Sequence, residues 1–323
     1  MIKLVISGGD SFTFGSELSD IEDSLKKRGY QEDPSEFSWA NLVANKLNAK
    51  HNNTAQPGRS NSYITRHVRH AVQQALRKWK PEEIFVQVMW TYIGRHEILV
   101  NHLLHEYDRG GTLGTPQSGP LYYDRLDSPW FHVDPYACED ESKSDWFETA
   151  VLSMDIEAYK LARKTMHSRF KENYSIGFVD YARAYYKVTG ELTDHYISLK
   201  EVLFLQEFLE NRNVKYMFTY VHDEVMLNLT GLNVTNEYTS DVKTPMDIIY
   251  GMRKEIKFDE WFNFSLGPYK KHNAGFWRWA SESKHTGPAK NNKYKLGPMN
   301  HPLEEAHKDA SVLIYDHISN LWG

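Results

Sequence analysis

The sequence predicts an α/β fold, a three-layer α/β/α sandwich around a central parallel sheet. Three observations carry this expectation. Short apolar runs rich in β-branched residues alternate with longer segments whose apolar residues recur at helical spacing. The first run ends in a glycine-rich polar turn, Gly8-Gly9-Asp10-Ser11, at the place where open α/β sheets gather their chemistry. The strongest strand, residues 83–90, also runs into a polar segment.

In chain order, residues 2–6 read as a buried strand, and the polar stretch 16–36 as a surface loop or short helix. Trp39, Leu42, Val43 and Leu47 set a helix over 37–47, followed by a weak strand over 51–55 and a turn over 56–61. Val68, Ala71, Val72, Ala75, Leu76 and Trp79 share one face of a helix over 65–80, which Pro81 ends. After the strand 83–90 comes the polar segment 91–97. Further on, the pattern gives a helix over 147–172, a short strand over 175–179, a helix over 195–211, a strand over 214–221 and a closing helix over 302–322. Gly- and Pro-containing stretches at about 99–146 and 228–290 read as insertions in a single domain spanning 1–323. Insertions after strands are expected to wall the carboxyl edge.

Composition narrows the function classes. The net charge is −5 and there is no dense Lys/Arg block, which disfavours a nucleic-acid partner. No stretch approaches the run of about 18 apolar residues that a membrane helix needs, so no membrane partner is expected. No signal peptide is expected, because Gly8 to Ser11 interrupts the first apolar run too early. The single cysteine, Cys138, has no partner for a disulfide and no zinc-site spacing, so no metal or cofactor is expected. Tyr, Phe and Trp number 20, 15 and 9; such residues serve cores, interfaces and sugar-binding surfaces alike.

The chemistry-bearing residues lie in the turns. Ser11 follows the first strand on a glycine-rich turn, where a hydroxyl and backbone N–H groups meet; alternatively, Asp10 or Ser11 simply caps the next helix. The turn Gln56-Pro-Gly58-Arg-Ser-Asn61, the segment Thr91-Tyr-Ile-Gly-Arg95 and the loop Gly297-Pro-Met-Asn-His301-Pro302 are expected at the same edge. No G-x-G-x-x-G or Walker pattern supports a flavodoxin-like nucleotide binder.

Gly9-Asp10-Ser11 near the start and His301-Pro302 before the last helix, with His307 further along, resemble the SGNH (GDSL-like) hydrolases in order from end to end. The resemblance implies Ser11 as nucleophile, His301 as general base, and the N–H groups of Ser11 and Gly58 as an oxyanion hole. The family's third-block Asn is absent from Met89-Trp-Thr-Tyr92, so Thr91, Tyr92 or Arg95 is expected to replace it. Trp-Thr followed by Arg and Glu is similar to a divergent, phage-encoded branch. Asp10, Asn61, Trp90 and Tyr92 flank these motifs and are expected to touch substrate. The family's acid, three residues before the His, is Pro298 here. A main-chain carbonyl of Gly297, Pro298 or Met299 is therefore expected to orient His301, with Asp223 as the second choice. The implied activity is a serine esterase, in its finer form a carbohydrate O-deacetylase, working through a Ser–His dyad or incomplete triad on a small-molecule or carbohydrate ester. The alternative is a weak or inactive binding or structural protein of a phage particle, made in the cytoplasm and associated with the virion or with further copies of itself.

Overall fold

The computed structural model describes residues 1–21, 33–93, 95–99, 130–133, 191–222, 245–265, 273–281, 294–298 and 300–322. The helix expected over 147–172, the strand over 175–179 and Asp223 lie outside them. Chain contacts fall into two units: residues 1–57, 61–93 and 195–323 form one, and residues 58–60 and 94–194 the other.

The first unit is built on four parallel strands: β1 (Leu4–Gly8), β2 (Lys50–Asn53), β3 (Ile84–Trp90) and β6 (Lys215–Tyr220). Their order is β2-β1-β3-β6. The chain steps outward from β1 to β2 and then crosses back to β3. The switch point, where such sheets leave a crevice, therefore lies at the carboxyl ends of β1 and β3. All seven residues of β3 are buried, as a central strand covered on both faces requires.

Alternation along the strands divides the core into two layers. On one face Val5, Phe85, Met89 and Met217 pack against Trp39, Ala40 and Val43 of α2 (Trp39–Lys46) and Ala306, Ala310, Ile314 and Ile318 of α7 (Glu304–Trp322). On the other face the sheet meets α3 (Asn61–Ala75), so closely that a Cβ on Gly8 would stand 2.3 Å from Val68 Cγ2. Helix α4 (Glu191–Glu210) joins this layer: Thr65 donates to the Glu201 carbonyl and Asn61 Nδ2 to Ser198 Oγ. The three-layer α/β/α expectation is thus the observed architecture.

The segment 228–290, read as a loop-rich insertion, is more ordered than its sequence suggests. Its described parts hold α5 (Pro245–Lys254), the short strands β7 (Phe264–Ser265) and β8 (Asn273–Ala274), and α6 (Phe276–Ser281). Phe264, Phe276 and Trp279 belong to the same core cluster as Val5 and Trp39. Their apolar area explains this: an aromatic side chain stabilises most when buried. In the second unit, β4 (His96–Leu99) and β5 (Trp130–Val133) form an antiparallel pair. Among the described residues, no helix is long and apolar enough to cross a membrane.

A polar network crosses the first face. Gln87 Nε2 donates to Ser7 Oγ (2.8 Å) and to the Ala40 carbonyl (2.9 Å). Ser7 donates in turn to His51 Nε2 at 2.7 Å, and His51 Nδ1–H donates to Asn41 Oδ1 at 3.0 Å. Burial lowers the His51 pKa to about 4 and that of His307 to about 3, against an ordinary 6.5. An unfolded chain takes up these protons below 6.5 and the folded one does not, so stability is full above 6.5 and falls as pH drops toward the two lowered values. Each imidazole is expected to remove up to about 2 kcal/mol between about pH 7 and pH 5. Urea denaturation at the two pH values measures this; an unchanged midpoint would show that these rings are not held neutral.

Candidate active site

Strand β1 runs straight into the nucleophile turn. A Cβ on Gly9 would lie 2.0 Å from Thr13 Oγ1 and 3.2 Å from the Met89 carbonyl, so only glycine lets the chain turn this close to β3. Asp10 then caps the single-turn helix α1 (Ser11–Phe14), its Oδ1 accepting from Phe12 N–H at 3.1 Å. Ser11 takes the first helical position, where the backbone N–H has no acceptor within the helix. Helix capping and nucleophile placement, posed as alternatives from the sequence, occur together.

Gly15 (φ 83°) ends α1, with its N–H and that of Ser16 both returning to the Ser11 carbonyl at 2.9 Å. Two residues on, Glu17 is also left-handed, at φ 68°. A non-glycine residue there costs on the order of 1 kcal/mol and persists only where its surroundings hold it. They do: the Glu17 carboxylate accepts from both the N–H (3.1 Å) and the Nδ1–H (2.8 Å) of His301. Gly297 lies directly against that carboxylate, since a Cβ there would come within 2.7 Å of Glu17 Cδ and Oε2.

His301 is presented by a short loop that closes on itself. Leu296 and Pro302 pair antiparallel, and Gly297 N–H donates to the His301 carbonyl at 2.8 Å. Two contacts behind the loop hold it. Buried His307 accepts from Trp39 N–H at 3.0 Å on Nδ1 and donates to the Pro302 carbonyl. Glu304, in the first turn of α7, accepts from Ser19 N–H at 2.7 Å and so ties the Glu17 segment to the same helix. Phe12 covers the imidazole, with ring centroids 4.8 Å apart.

The result is a continuous chain: Ser11 Oγ to His301 Nε2 at 2.8 Å, and His301 Nδ1 to Glu17 Oε2 at 2.8 Å. A carboxylate only accepts, so Nδ1 carries the proton and Nε2 presents its lone pair to the Ser11 hydroxyl. That is the tautomer a general base needs. Ser11 is 5% exposed and His301 9%, which keeps the chain of bonds in a low-dielectric setting.

The orienting group differs from the sequence expectation. No main-chain carbonyl of 297–299 is needed at Nδ1, because Glu17 occupies it. The physical reason is strength: an ionised acceptor makes the shorter, stronger bond and stabilises the imidazolium that forms. Glu17 went unrecognised because it lies in a polar stretch rich in acidic residues, read as a surface loop. The one available signal was Gly15, a turn residue close after the nucleophile that returns the chain toward it.

Other expected site residues have structural roles. Asp10 is fully buried, capping α1 and accepting from Thr91 Oγ1. Thr91 is fully buried too; its hydroxyl proton is committed to Asp10 and its N–H to Asn61 Oδ1 at 2.9 Å. Asn61 returns an Nδ2–H bond to the Thr91 carbonyl at 3.2 Å and is 2% exposed. Trp90 is wholly buried, edge-on to Phe218 in the core, and does not line a surface. A tryptophan at the end of a central strand serves that core because its neighbours on the sheet are aromatic. Tyr92 is half-buried and stacks with His222. Gly58 occupies a left-handed turn (φ 71°), and with Arg95, also half-buried, it belongs to the second unit. Among the described residues no cluster of His, Cys, Asp and Glu could hold a metal ion.

No protein-family model and no curated protein matches the sequence. Among solved structures, an acetyl xylan esterase from the rumen bacterium Butyrivibrio proteoclasticus is similar, with 13% identity and a TM-score of 0.37. The match covers 99% of this chain and 64% of that one, so this chain spans less than two thirds of its neighbour's length.

Proposed function

We propose that this protein is a serine ester hydrolase in which Ser11 is the nucleophile, His301 the general base and acid, and Glu17 the residue that orients and charges His301. The observation that carries the reading is the unbroken Ser11–His301–Glu17 hydrogen-bond chain. A serine hydroxyl is a poor nucleophile until a base removes its proton. Here His301 Nε2 takes that proton as Ser11 Oγ attacks the ester carbonyl carbon. The carbonyl oxygen becomes an oxyanion, for which the Ser11 N–H is the donor this unit supplies; the SGNH resemblance gives a second donor role to Gly58 N–H. Protonated His301 then delivers the proton to the departing alkoxide, leaving an acyl-Ser11 ester. Water, deprotonated by the same Nε2, releases the acid and restores Ser11.

A complete acid–base–nucleophile set supports an active enzyme over an inactive scaffold of the same fold. In its finer form the proposal is removal of an O-acyl group from a carbohydrate. A fluorophosphonate probe is expected to label the protein at a single peptide containing Ser11. Absence of labelling, or labelling that maps elsewhere, would remove Ser11 as nucleophile and the esterase reading with it.

A further inference from the structure

We propose that Tyr92, His222 and Trp277 form a sugar-stacking platform beside the catalytic pair, so that the ester cleaved is carried on an oligosaccharide chain; this rests on the esterase reading above. The three residues come from the end of β3, the end of β6 and α6, elements of one unit. Tyr92 and His222 lie with ring centroids 5.8 Å apart, and so do His222 and Trp277. All three are half-buried.

Contacts place this row against the nucleophile and its base. At one end Tyr92 follows Thr91, whose hydroxyl donates to Asp10, the residue before Ser11. At the other end Trp277 Nε1 donates to the carbonyl of Asn300, the residue before His301, at 3.1 Å. Ser11 and His301 close the circuit through their own hydrogen bond. The row is therefore a wall flanking the reacting atoms and anchored on both sides to the residues that hold them. Its position is fixed from behind as well. Trp277 N–H donates to the Val221 carbonyl at 3.0 Å, and a Cβ on Gly275 would stand 2.3 Å from that same oxygen, so α6 is pressed onto the end of β6.

The shape of the row points to a glycan. Aromatic faces carry negative charge density and attract the weakly positive C–H face of a pyranose ring. Direct face-to-face contact between carbons needs a separation of about 3.5–4 Å. At 5.8 Å the rings are offset, and each keeps part of a face uncovered. Successive ring planes turn by 29° and then 41°. One flat aromatic acyl group would follow only a single plane, whereas a twisted chain of sugar rings follows the turn. Exposed Asn300 at the catalytic end adds an amide that can bond ring hydroxyls.

The test uses the full-length Ser11→Ala protein, which binds without turnover. It is titrated with xylo-, manno-, cello- and chito-oligosaccharides and followed by saturation-transfer NMR and tryptophan fluorescence. At least one series is expected to bind. Trp277→Ala in the same background is expected to weaken that binding by about tenfold or more. Trp277→Phe keeps a ring but loses the N–H bond to Asn300, and is expected to retain most of it, separating stacking from loop anchoring. Tyr92→Ala, remote from the Asn300 bond, is expected to weaken binding as well. No binding by any series, or binding unchanged in both alanine variants, overturns the platform. Hydrolysis of p-nitrophenyl acetate by the unsubstituted protein separates the two proposals. Hydrolysis without glycan binding sinks the platform alone. Trp277-dependent glycan binding without hydrolysis sinks the esterase reading and leaves a glycan-binding protein.

Discussion

Ser11→Ala is expected to lower kcat for p-nitrophenyl acetate by about a million-fold, to a residue of activity owed to the remaining groups. The hydroxyl is the atom that forms the covalent bond, and no other hydroxyl is known to meet His301 Nε2 at 2.8 Å. Little structural cost is expected to accompany the loss. Ser11 Oγ bonds only to the imidazole in this chain of contacts, and α1 keeps its Asp10 cap. The thermal midpoint should therefore move little while activity collapses. Activity within a hundredfold of the original would show that hydrolysis proceeds at another centre.

Glu17→Gln is expected to reduce kcat by about ten-thousand-fold with KM little changed, the scale seen when the acid of a serine triad is neutralised. The amide keeps the size and one acceptor of the carboxylate. It can, however, turn its NH₂ toward His301 Nδ1, which then accepts and leaves Nε2 protonated and unable to act as base. It also withdraws the charge that stabilises the imidazolium. Because Glu17 acts through His301, the pH profile separates an electrostatic role from a merely structural one. The limb belonging to the base should shift in Glu17→Gln, and recovery should be partial in Glu17→Asp. Gly297→Ala should mimic the defect, since its Cβ would meet the Glu17 carboxyl at 2.7 Å and push it from the imidazole. If Glu17→Gln retains activity within tenfold of the original, the orienting group lies elsewhere and the triad assignment fails.

The nucleophile turn shows what local sequence can carry. Two glycines after an apolar strand, then Asp and Ser, define both the tight turn and the helix cap, because each depends on backbone sterics within a few residues. The same holds for helix α3 and the fully buried strand β3, whose apolar spacing is a local property. Ser11, His301 and the parallel α/β sheet were legible for that reason. Thr91, Asn61 and Trp90 show the opposite. Their positions near the site are correct, yet their side chains were assigned to substrate or oxyanion when they bond Asp10, Ser198 and the aromatic core. Which way a polar side chain turns depends on partners distant in sequence.

By itself, then, the sequence determined the sheet, the order of its helices, and the turn and loop that present a serine and a histidine. Those features follow from periodicity and from residues with restricted or unusual backbone freedom. Tertiary structure alone decided that Glu17 is the acid, 284 positions from the histidine it serves, and that Tyr92, His222 and Trp277 form one row. A carboxylate in a polar loop looks the same whether it faces water or an imidazole. The distinction arises only when a left-handed turn at Glu17, a glycine at 297 and the docking of α7 bring the two together.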